Sequence, residues 1–271
     1  MMPVDVLTPG DEMRVSVVPE LILTLGMLGV ADIIERSKHE WAGDLSCPEL
    51  ERFEPTLSDE VCDVRAINPI DRWVASQHVE GAAPASDVLL GVMMAAPFGV
   101  AVGDMGVDRS APAGERLAKD ALVIAETYAL TQLATSTLKV MVHRLRPYNY
   151  NPLLFPSRAL GDSRVSFPSG HTSMAFTSAA TLAVLLDQRY PGSPWAVAGT
   201  ITGFVAATTV GTLRVLAGRH FLTDVLVGAA LGTAIGLIVP IAHRGEGARS
   251  DAQGLTEGTM APTLIQLGGR F

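Results

Sequence analysis

The chain has 271 residues, of which 48% are hydrophobic and 18% charged, and its mean hydropathy is +0.30. It is more apolar than an ordinary soluble domain of its size, which points to membrane insertion. A formal net charge of -8 and a pI near 5.2 exclude a general polyanion binder, so no nucleic-acid partner is expected.

Apolar stretches long enough to span a bilayer, about 20 residues each, fall at 17–34, 87–105, 120–142, 171–187, 194–212 and 221–242. They predict an all-α, polytopic membrane bundle of about six helices. The expected division is an N-terminal helix and loop (1–86), a catalytic bundle (87–243) and a flexible tail (244–271). The first stretch contains Pro19, Glu20 and Asp32, so an interfacial or buried helix is the alternative to a span. No cleavable signal is recognised before it, and it is expected to direct insertion itself.

The loop that follows holds both cysteines, Cys47 and Cys62. A disulfide closing about 15 residues stabilises by roughly 3 kcal/mol in the chain-entropy model and forms only in an oxidising compartment; two free thiols are the alternative. Further along, Ile67 to His78 reads as a short amphipathic helix at the membrane surface, with Ile70, Trp73 and Val74 apolar. A lipid would enter beside it, unless it is simply a lid on the bundle.

The third stretch carries Asp120 and Glu126 near its start and Lys139 near its end. Intramembrane charges need a partner or a wet site. Glu126 is expected to make a bundle hydrogen bond. In the sixth stretch, Gly228, Gly232 and Gly236 form a small-residue ridge for close helix packing. The tail has no periodicity; its end, Thr263 to Phe271, is a candidate strand.

Three separated segments carry the chemistry: Lys139-x6-Arg146-Pro147, Pro168-Ser169-Gly170-His171, and Arg214-x5-His220-x3-Asp224. Together they supply three fixed cations, two histidines, a carboxylate and a glycine turn. A transferring phosphoryl group needs that inventory, because negative charge spreads over three equatorial oxygens while one oxygen arrives and another leaves. Lys139 and Arg146, seven residues apart, are expected on one face of a helix that stops near Pro147. Arg214 adds a planar fork suited to phosphate. Ser169 is a candidate N-cap, and Gly170 lets a helix start approach an oxyanion. His220 and Asp224, four apart, are expected as neighbours on a helix face, with the carboxylate fixing the imidazole tautomer. His220 then attacks and His171 protonates the leaving oxygen. Arg144, Arg219 and His143 are read as solvated or headgroup-facing and are left out of the site.

The three segments resemble the signature of the type 2 phosphatidic acid phosphatase superfamily, usually written KxxxxxxRP, PSGH and SRxxxxxHxxxD. The likeness covers roughly residues 118 to 240, and departs only at Leu213, where the family commonly has serine. It implies a phosphatase that needs no metal or other cofactor, with a covalent phosphohistidine on His220 and a leaving group protonated by His171. Lys139, Arg146, Ser169, Gly170 and Arg214 would hold the phosphate of a lipid substrate. It also implies a bacterial inner-membrane protein with the site facing the periplasm. Lipid phosphotransfer through the same residues is the alternative. Vanadium haloperoxidase chemistry and a binding protein with a dead site are the remoter ones.

Overall fold

The computed structural model describes residues 15–41, 62–107, 113–151 and 163–244. Among them are six α-helices: α1 (Val17–Trp41), α2 (Ala82–Val107), α3 (Ala113–Val142), α4 (Gly170–Arg189), α5 (Pro194–Leu216) and α6 (Leu222–Ala242). No strand occurs among the described residues. Four helices contain segments long and apolar enough to cross a membrane: Val17–Ser37, Ala82–Gly103, Pro194–Leu216 and Leu222–Ala242. Their outer faces expose large aliphatic side chains, among them Ile22, Leu25, Val88, Val92, Ile201, Val205, Leu226 and Ile238. Such surface suits lipid rather than water.

The other two helices, α3 and α4, are less apolar because they form the interior. α4 contacts α2, α3, α5 and α6, while α1 lies against α3. Buried hydroxyls line α4 at Thr172, Ser173, Thr177, Ser178 and Thr181. They are satisfied within the bundle: Ser178 donates to Met174 O (2.9 Å), and Thr177 Oγ1 to Ser173 O (2.9 Å) and Gly232 O (3.1 Å). Hydrogen bonding removes the cost of burying these groups.

The expected glycine ridge sets the α4–α6 approach. A Cβ at Gly228 would meet Ser169 O at 2.8 Å, one at Gly236 would meet Thr177 O at 2.6 Å, and one at Gly232 would collide with Ser173 O. Only glycine permits these backbones to come so close. Of the charges expected in the third stretch, Asp120 pairs with Arg189 in a buried ion pair. Glu126 differs from expectation: its Oε2 makes no hydrogen bond.

Two further expectations are corrected. Lys139 and Arg146 do not share a helix, since α3 ends at Val142, His143 takes a left-handed conformation (φ 51°), and Arg146 is extended (φ -79°, ψ 154°) ahead of Pro147. The ring of a following proline disfavours helical backbone, so the chain leaves the helix early. Ile67 to His78 is not an amphipathic α-helix: short 3-10 turns run from Val64–Ala66 and Arg72–Ser76, with Val74 and Ala75 buried and Trp73 exposed. α2 begins at Ala82, and α1 lies against α3.

Cys62 is buried and disulfide-bonded. Cys47 lies outside the described residues, as do the tail beyond Arg244 and its candidate strand.

Candidate active site

The three sequence segments meet at one end of the bundle, where α3 and α5 finish and α4 and α6 begin. Beyond α3, the chain pairs with the segment leading to α4: Arg146 N donates to Ser163 O (2.8 Å) and Ser166 N to Arg144 O (3.0 Å). This pairing places Ser166 O beside His220. Ser169 caps α4, accepting from Thr172 N at 3.4 Å. Lys139 reaches this helix start: its Nζ would stand 3.4 Å from a Cβ at Gly170, an ordinary contact. The α5–α6 turn requires Gly218, which is left-handed (φ 64°) and packs so tightly on Gln77 that a Cβ would strike its carbonyl oxygen.

His220 is 2% exposed. Its Nδ1 donates to Ser166 O at 2.7 Å, which leaves the lone pair on Nε2. Arg146 Nη1 donates to that atom at 3.1 Å and to Arg219 O at 3.0 Å. Burial holds the imidazole well below its ordinary value, and the positive charges of Arg146, Arg214 and Lys139 push the same way. The ring is therefore neutral near pH 7, with an unprotonated nitrogen among cations.

Asp224 differs from expectation. His220 stands in the turn before α6, and its Nδ1 is 3.8 Å from Asp224 Oδ2, too far for a hydrogen bond. The carboxylate is 0% exposed and serves three other donors: Phe221 N (2.9 Å), Ser166 Oγ (2.5 Å) and Arg144 Nη1 (2.5 Å). Asp224 thus caps α6 and holds Ser166, whose carbonyl orients His220. It positions the imidazole through another residue.

Three residues that matter, Arg144, Asp71 and Asp87, are not among the defining positions of the sequence motifs. Arg144, read as surface-facing, bridges Asp224 to Asp71 Oδ2 (2.7 Å) and lies 4.2 Å from the centroid of the Phe221 ring. Asp71 also accepts from Thr223 N at 3.0 Å. Burial would raise the Asp71 carboxyl, but hydrogen bonds from Thr223, Arg144 and Asn68 outweigh it and hold it below the usual carboxylate range. Asp87, near the start of α2, accepts from His171 Nε2 (2.7 Å) and from Arg214 Nη1 (3.2 Å). Arg214 Nη1 also donates to Ser86 Oγ at 3.2 Å. No spacing signal marks Arg144 or Asp87, because their partners are distant in sequence.

The fold is that of an integral membrane, all-helical bundle, with Lys139, Arg146, Arg214 and two histidines brought together at one end. Residues 120–247, just under half of the chain, match the PAP2 superfamily. The chain is 37% identical over 76 residues to lipid A 1-phosphatase of Porphyromonas gingivalis, covering 28% of this chain and 16% of the relative. It is 32% identical over 126 residues to phosphatidylglycerophosphatase B of Bacillus subtilis, covering 44% and 56%. Both matches take in less than two thirds of the relative's length. A solved transmembrane PAP2 type phosphatidylglycerolphosphate phosphatase from Bacillus subtilis aligns over 91% of this chain and 98% of its own, with a TM-score of 0.42 and 20% identity.

Proposed function

We propose that the protein is a membrane phosphatase that hydrolyses a phosphate monoester or pyrophosphate on a lipid through a phosphohistidine on His220. The observation that carries this reading is the state of His220: a neutral ring, Nδ1 committed to Ser166 O, and the Nε2 lone pair beside Arg146. In the first step Nε2 attacks phosphorus and the bond to the leaving oxygen breaks, while His171 gives that oxygen a proton. In the second, water attacks phosphorus, His171 takes its proton, and the P–N bond breaks to release phosphate and free His220. Lys139, Arg146 and Arg214 supply the charge stabilisation, with Ser169 and the backbone at Gly170 closing the cradle.

Lipid as the substrate class is supported by the exposed apolar helices around the cradle and by the names of the two relatives. An extracytoplasmic site is supported by disulfide-bonded Cys62 at this end of the bundle, where its N–H donates to Asn149 O (3.2 Å). The test is phosphate release by detergent-purified protein and its His220→Ala variant over a panel of lipid phosphates, with chelator present. Release by wild type alone, inhibited by vanadate, is the expected result. Equal release by the variant would overturn the covalent mechanism.

A further inference from the structure

At the opposite end of the bundle, α1, α3 and α6 bring Glu20, Glu126 and His243 together. Glu126 lies about 20 Å along α3 from Lys139, and His243 about 28 Å along α6 from Asp224, at 1.5 Å per residue. The cluster therefore has no part in the cradle. His243 Nδ1 donates to Val239 O at 2.8 Å, which leaves the Nε2 lone pair facing inward. Nε2 is 3.6 Å from Glu20 Oε2 and 3.5 Å from Glu126 Oε2. Both carboxylate oxygens are sealed from solvent and have no hydrogen-bond partner, and Glu126 as a whole is 9% exposed.

Three acceptor atoms thus converge within 4.8 Å of one another. Such a group is unfavourable unless a proton or a cation sits between its members. The separations from Nε2 are long for a direct N–H···O bond, which runs to about 3.2 Å. They match donors sharing one ion: ligand bonds of about 2.0–2.2 Å at tetrahedral angles place ligand atoms about 3.3–3.6 Å apart. The surroundings also hold the donors in place. Glu20 Oε1 accepts from Ser16 N at 3.0 Å, and the backbone bond to Nδ1 fixes the histidine tautomer, as outer partners of metal ligands commonly do. Two arginines at this end are engaged elsewhere, Arg189 with Asp120 and Arg244 with Asp187.

We propose that Glu20, Glu126 and His243 bind one first-row divalent cation of the zinc type, which ties α1 to α3 and α6 at the end of the bundle remote from the phosphate cradle. One imidazole and two carboxylates suit zinc, and three protein ligands leave a fourth position for water. The family resemblance implies no metal at the catalytic site, and these three residues, far apart in the chain, share no ligand spacing.

The test uses the full chain in detergent, stripped with chelator, dialysed against zinc chloride, and assayed for bound zinc and thermal midpoint. One zinc per chain and a raised midpoint are expected, with zinc affinity falling at least tenfold in Glu126→Gln and in His243→Asn. The His171→Ala variant should keep its zinc, which separates this site from the catalytic histidines. Should the cluster variants fail to fold, cobalt loaded into wild type is expected to give the visible absorption of a four-coordinate site. Three results overturn the proposal: wild type that binds no zinc and shows no midpoint shift, zinc retained in full by both cluster variants, or zinc lost on His171→Ala.

Discussion

Replacing Arg144 with methionine removes the one guanidinium that joins Asp71 to Asp224, two carboxylates that are both 0% exposed. Methionine keeps much of the packing against Phe221 but none of the charge. Breaking a buried pair by deleting one partner costs about 3–5 kcal/mol, because the remaining charge stays buried without compensation. The Arg144 side chain is 22% exposed, and the carboxylates keep bonds from Thr223, Ser166 and Phe221, so the lower end applies, about 3 kcal/mol. At roughly 2–4 °C per kcal/mol for a large domain, the thermal midpoint in detergent should fall by about 6–12 °C. Adding Asp71→Asn to Arg144→Met should cost less than the two singles summed, with a coupling of about 1–3 kcal/mol. A midpoint lowered by less than about 2 °C, or strictly additive singles, would refute a joining role and return Arg144 to the surface class.

The indirect placement of Asp224 predicts a moderate loss for Asp224→Asn, about 10–100-fold in kcat, as for other outer partners of a reacting group. A loss near 10⁴-fold, which a directly bonded carboxylate–histidine pair gives, would mean that the 3.8 Å gap closes during turnover. Burial and the Arg214 charge hold His171 down at about 4 while Asp87 pulls it up, so Asp87→Asn should lower kcat about tenfold, with the deficit growing as pH rises through that range and level above it. An unchanged pH profile of kcat would leave Asp87 with only a structural part. Stability should also depend on His220. Its folded value lies well below 6.5, so as pH falls below about 6.5 the unfolded chain takes up a proton that the folded site refuses, and stability drops by up to ~1.4 kcal/mol per pH unit. His220→Asn should abolish that slope in denaturation measured between pH 5 and 7, and an unaltered slope would contradict a buried neutral ring.

Much of the molecule was legible in its sequence because the relevant signals are local. Apolar length gave the helices, and Gly228, Gly232 and Gly236 gave the α4–α6 contact, since a backbone approach that tolerates no Cβ leaves only glycine. The Ser169 cap follows from residues next to one another in the chain. The three motif segments stand out by residue type alone, because fixed cations in an apolar chain are costly unless something negative answers them.

What the sequence could not supply are the partners. Helical spacing suggested that Asp224 bonds His220, but α6 starts only at Leu222, and the carboxylate turned to its own helix end and to Ser166. Seven-residue spacing put Lys139 and Arg146 on one helix, yet the proline after Arg146 straightened the backbone. Arg144 read as headgroup-facing, and no local signal marked Asp71, Asp87 or His243, until packing set them against their partners. Local preference fixes which stretches become helices. Which buried charge answers which is decided only when the helices pack, because the cost of an unpaired charge depends on surroundings that distant parts of the chain provide.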